Sequence, residues 1–103
     1  MKFIINEQIW KDKDGFVASK HIVVMESQGR ASCRLTMYPR ENVQILSCVY
    51  VDEQYRRQGI CTEMLDFIDA KFTERKTLVY IDVWAADFKR DMYLQRGYVV
   101  MTN

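Results

Sequence analysis

VQILSCVYVDEQYRRQGICTEMLDFI, Val43 to Ile68, changes its hydrophobic period once, and the rest of the chain is arranged around that change. Val43 to Val51 is β-branched and nearly all apolar, the pattern of a central strand buried on both faces. From Gly59 onward the period is helical: Ile60, Met64, Leu65, Ile68 and Phe72 share one face, with Glu63, Asp66 and Lys71 off it. Between the two lies Arg56-Arg57-Gln58-Gly59-Ile60-Cys61-Thr62, a small-residue turn opening onto the helix. A helix start leaves its first N–H groups without intrahelical partners, and the macrodipole adds partial positive charge there. Gly59 and the small Cys61 keep side chains clear of those amides, and Arg56 and Arg57 can pair with phosphate charge. The segment predicts a phosphate- or pyrophosphate-bearing ligand.

Upstream, Val17 to Met25 and Arg30 to Tyr38 read as strands joined at Ser27-Gln28-Gly29, and Pro39 marks the turn into Val43. Phe3-Ile4-Ile5 and Ile9-Trp10 predict one more strand, broken by Lys11 to Gly15. Downstream, Leu78 to Trp84 reads as a buried strand interrupted by Asp82. A helix follows from about Phe88 to Gln95, with Asp87 as N-cap and Gly97 as left-handed C-cap. Tyr98 to Met101 closes as a short strand. The order predicts an α/β (α+β) fold, a mixed, mostly antiparallel twisted sheet flanked by helices.

At 103 residues, 49% apolar and 28% charged, residues 1–103 read as one ordinary globular domain. Net charge is +1, and no basic stripe carries interleaved aromatics, which argues against a nucleic-acid partner. No signal peptide opens the sequence and no apolar stretch approaches transmembrane length, so no membrane association is expected. Cys33, Cys48 and Cys61 are odd in number and lack metal-type spacing. They argue against disulfides and against a metal site, and for a reducing, cytoplasmic location. Cys48 reads as a small core residue, His21 as a surface or strand-edge residue, and Trp10 and Trp84 as core or rim aromatics.

Val49 to Leu65 resembles the acetyl-CoA motif of the GNAT N-acetyltransferase superfamily, R/Q-x-x-G-x-G/A. Arg56 and Gly59 stand in place, and Cys61 takes the last position. Tyr93-Leu94-Gln95-Arg96-Gly97-Tyr98 resembles the family's Y-x-x-x-G-F segment, and the likeness spans Gln44 to Met101. It implies a GNAT-like acyl-CoA N-acyltransferase fold, here truncated at both ends, and acetyl transfer from acetyl-CoA to a primary amine. That acceptor is a protein lysine, a protein N-terminus or a small amine, attacking directly in a ternary complex. The likeness implies that Val49, Tyr50 and Val51 hold pantetheine by their backbone, and that the amides of Arg57, Gln58, Gly59, Ile60, Cys61 and Thr62 hold the pyrophosphate. It implies Tyr93 as the acid that protonates the departing thiolate, and a backbone N–H near Val49 as oxyanion donor. Asp82 corresponds to a carboxylate that some members carry and is the candidate base, with Glu41 and Asp52 behind it. Family members often carry asparagine where this chain has Ala86, and Asp87 is the candidate substitute. Many relatives add a further strand and an N-terminal helical segment that wall off the amine site. Their lack predicts an open acceptor site, a protein acceptor, or a pocket completed by a homodimer through the sheet edge. The alternative is a coenzyme A-binding regulatory module without turnover, acting on a partner protein.

Overall fold

The computed structural model describes residues 1–72 and 75–102. Its elements are β1 Phe3–Lys11, β2 Val17–Glu26, β3 Ala31–Tyr38, β4 Val43–Val51, a single 3-10 turn Glu53–Tyr55, α1 Ile60–Lys71, β5 Lys76–Ile81, α2 Asp87–Gln95 and β6 Val99–Thr102. The strands lie in one six-stranded sheet in sequence order. β1 to β4 pair antiparallel, because tight turns join them, whereas β4, β5 and β6 run parallel. Parallel neighbours need a crossover, and α1 and α2 supply the two crossovers. The mixed, mostly antiparallel sheet expected from the sequence is therefore the sheet observed.

α1 packs Ile60, Met64, Leu65 and Ile68 onto Val24, Cys33, Leu35 and Leu46, and all of these are at most 2% exposed. Full burial of each large aliphatic side chain is worth roughly 1.5–3 kcal/mol, so this seam is the main source of stability. α2 is fixed at its far end. Its last turn closes with Gly97 N–H on Leu94 O at 2.9 Å and Tyr98 N–H on Tyr93 O at 3.2 Å, with Gly97 at φ 79°. That paired closure needs a left-handed residue, which glycine adopts without penalty. Arg96 then reaches across to α1, with Nη1 2.9 Å from Asp66 and 2.8 Å from Asp69.

Several local expectations are corrected. β4 is not buried on both faces: its side chains alternate as far as Leu46, and Cys48 and Tyr50 are exposed. At Cys33, β3 faces two residues of β4, Cys48 and Val49, where the register shifts. Cys48 sits there at φ 53°, so it belongs to a bulge and not to the core. β5 stops at Ile81 instead of running to Trp84. The Asp82 carboxylate accepts the Trp84 N–H at 2.9 Å and its carbonyl accepts the Ala85 N–H, a turn that carries Trp84 out to 88% exposure. Ala86, in extended conformation, takes the N-cap position of α2, and Asp87 is the first helical residue with no capping hydrogen bond. Trp10 is likewise exposed, edge-on to the exposed His21.

Candidate functional site

The pairing of β4 with β5 ends at Leu46 and Val79. Beyond that point β4 continues along β3 through the bulge while β5 diverges, so the β5-facing backbone of Ser47 to Val51 has no strand beside it. The gap widens into a cleft of about 540 Å³. One wall is Val49, Tyr50 and Val51; the floor is Gly59, Ile60, Cys61 and Thr62 at the start of α1; the far wall is Phe88, Lys89, Met92 and Tyr93 of α2. Tyr55, Arg56 and Arg57 close the end.

The turn before α1 owes its shape to two left-handed residues, Arg57 at φ 65° and Gly59 at φ 81°. Such a reversal aims successive N–H groups to one side. The first helical hydrogen bond is Glu63 N–H to Gly59 O, and no side chain caps the helix. Among the described residues, the amides of Ile60, Cys61 and Thr62 thus have no acceptor. A Cβ at Gly59 would meet nothing within 4 Å, so glycine serves the backbone conformation here and leaves the approach open. Uncapped amides at a positive helix end, beside an unpaired strand edge, fit a ligand that carries a diphosphate and an extended amide tail.

The arginines are less free than the sequence suggests. Arg56 Nε donates to Val51 O at 2.9 Å, and its guanidinium lies 5.9 Å from the Tyr50 ring centre, so it braces the end of β4. Lys89, in the first turn of α2, adds a cation to the cleft that no sequence motif marks. Tyr93 is 6% exposed and stacks on Tyr98 with ring centres 6.0 Å apart. Burial, with smaller contributions from Cys61 and Cys33, pushes its phenol up to about 12. The hydroxyl therefore keeps its proton at neutral pH and has a proton to donate. Burial also pushes the Cys61 thiol up, so Cys61 offers the cleft a small side chain and no thiolate.

Of the residues singled out in the sequence, Val49, Tyr50, Val51, Arg56, Arg57, Gly59, Ile60, Cys61, Thr62 and Tyr93 line this one cleft. Gln58, Asp87 and Asp82 lie outside its lining; Gln58 donates instead to Gln54 O at 3.4 Å. Asp82 is committed to its turn, and the runners-up are also elsewhere: Glu41 is exposed, and Asp52 N–H is tied to Arg30 O at 2.8 Å. Tyr55, Phe88, Lys89 and Met92 are additions from the structure. A smaller hollow of about 380 Å³ lies between Glu7, Lys20, Lys71 and Arg75 near the opposite end of α1. Among the described residues, no three His, Cys, Asp or Glu side chains converge as a metal would need. No described helix is long and apolar enough to cross a membrane.

Comparison with known families agrees with the class of fold that this cleft and sheet define, a domain for acyl transfer. Residues 12–100 match the acetyltransferase (GNAT) domain, and the chain belongs to that family. Its domains generally use acetyl-CoA as cosubstrate. No curated protein matches the chain.

Proposed function

We propose that the chain is an N-acetyltransferase that moves acetyl from acetyl-CoA to a primary amine in a ternary complex. The observation that carries this reading is that the uncapped amides of α1 and the protonated Tyr93 hydroxyl face one cleft. When bound, acetyl-CoA supplies an acetyl group activated as a thioester. The α1 amides and the reversal at Arg57 and Gly59 hold the pyrophosphate, with Lys89 adding charge. The free backbone edge of Val49 to Val51 holds pantetheine in an extended form, which places the reactants in contact. In the transfer, the amine nitrogen bonds to the acetyl carbon and the carbon–sulfur bond breaks. Tyr93 gives its proton to the departing sulfur and takes one back from solvent, and the proton of the attacking amine leaves to solvent at the open mouth of the cleft. Asp82 is left with a turn-forming role. The three free cysteines support a reducing, cytoplasmic setting.

Titration calorimetry with acetyl-CoA, followed by thiol-release assays over a panel of amines, tests the reading. Tyr93→Phe is expected to lower kcat by about a hundredfold or more with cofactor affinity unchanged. Binding without thiol release for every amine would replace transfer by a regulatory, coenzyme A-binding role, and the absence of any binding heat would sink both.

A further inference from the structure

The two faces of the sheet differ. The β4–α1–β5 and β5–α2–β6 crossovers step in the same direction across the strand order, so the right-handed rule for such units puts both helices on one face. β1 and β2 are joined by a short turn closed by Asp12 N–H on Phe16 O, and no described helix crosses the other face. The register aligns Ile4, Met25, Ser32 and Tyr50 in one row across that helix-free side. Ile4, Trp10, Met25, Tyr50, Tyr80 and Val99 are each at least 36% exposed there. Ile4 and Met25 are direct neighbours across β1 and β2, and apolar side chains left exposed in this way mark a place where a partner sits.

The charge on this face is one-sided. Among the described strand residues, alternation gives it the cations Arg34 and Lys76 and no Asp or Glu; the strand carboxylates Glu7 and Glu26 point the other way. Arg34 and Lys76 take no part in the ion pairs of the described residues. A second copy laid face to face would bring Arg34 and Lys76 against the same cations, with no carboxylate among the described strand residues of that face to meet them, which disfavours self-pairing. The complementary occupant is apolar and acidic. Tyr50 and Tyr80 stand on either side of the gap where β4 and β5 part, and the backbone of Val49 to Val51 lines the cleft on its other side. A segment lying on the helix-free face therefore passes the mouth of the reaction site.

We propose that the helix-free face of the sheet docks the acceptor, a protein segment whose reactive amine is flanked by apolar and acidic side chains. The inference rests on the acetyl-transfer reading above and narrows its acceptor class.

Three synthetic peptides test it, each with one lysine between leucines, flanked further by glutamates, glutamines or lysines. Wild-type protein is expected to acetylate the glutamate peptide about tenfold more efficiently than the lysine peptide, and Arg34→Glu to reverse that order. Amide shifts on adding the glutamate peptide without cofactor should map to Ile4, Val23 and Met25. Arg34 is exposed and outside the cleft, so Arg34→Glu should keep the urea midpoint and the acetyl-CoA affinity of wild type. Equal rates for the three peptides, or an order that Arg34→Glu leaves unchanged, would overturn the docking proposal while acetyl transfer stands. So would sedimentation showing a dimer that buries Ile4 and Met25, or tighter binding of a uridine oligonucleotide than of the glutamate peptide. Arg34-dependent peptide binding with no transfer to any amine would keep the docking face and overturn the acetyl-transfer reading.

Discussion

The stretch before Val43 and the stretch after it are built by opposite rules. β1, β2 and β3 fold back on themselves through tight turns, and each strand pairs along most of its length with the next. From β4 onward, parallel pairing forces a helix between successive strands, and pairing of β4 with β5 covers only four residue pairs, Val43–Leu46 against Lys76–Val79. The antiparallel part is a platform, whereas the crossover part generates the cleft, because a helix must start where a strand has just left its neighbour. Both parts are needed: the bulge at Cys48 bends β4 while β3 still holds it.

This contrast can be broken or sharpened by experiment. The largest effect is expected from Leu65→Ala, which empties part of the α1 seam and should cost about 2–5 kcal/mol in urea unfolding. A cost below about 1 kcal/mol would mean that the crossover half does not carry the core. Gly59→Val comes next. It forces a β-branched residue to φ 81°, costing about 1–2 kcal/mol locally. It should weaken acetyl-CoA binding in calorimetry at least about tenfold while the circular dichroism spectrum is kept.

The platform has its own titratable device. Glu26 is 1% exposed and accepts from Arg30 Nε at 2.7 Å and from the amides of Gln28 and Arg30. The Arg30 guanidinium foremost holds its carboxyl at about 2, against an ordinary 4.5. A carboxyl lowered by folding stabilises above its unfolded value, and that contribution is lost as pH falls from about 4.5 toward 2. Urea midpoints across this range should fall for wild type, and more shallowly for Glu26→Gln. Parallel slopes would show that the β2–β3 turn does not depend on this charge. The smallest effect is expected on the helix-free face, where Ile4→Ala should change stability by no more than about 0.5 kcal/mol. A loss of several kcal/mol would mean that this face is packed in solution.

The strand–turn–helix at the heart of the site was legible because the period change at Gly59 and the aliphatic spacing of α1 are local properties. The closure of α2 at Gly97 was legible for the same reason. What escaped was set by neighbours in space. Nothing in SCVYV says that Cys48 leaves the ladder, because the bulge exists only relative to Cys33 on β3. Asp82 in an apolar run reads equally as a cleft residue or a turn former, and its bond to the Trp84 amide decides for the turn. Phe88, Lys89 and Met92 carry no motif. They reach the cleft through the placement of α2, which Arg96 ties to α1 and buried Tyr93 anchors in the core.

Cys33 is buried and Cys61 half-buried, which leaves Cys48 as the solvent-facing sulfur of the three, at the bend of β4 beside the cleft. A maleimide dye should therefore attach there selectively in the unmutated protein, and its emission would report cofactor arrival in real time. The same sulfur makes a reductant advisable in every storage buffer, since air oxidation would join two molecules at that bend.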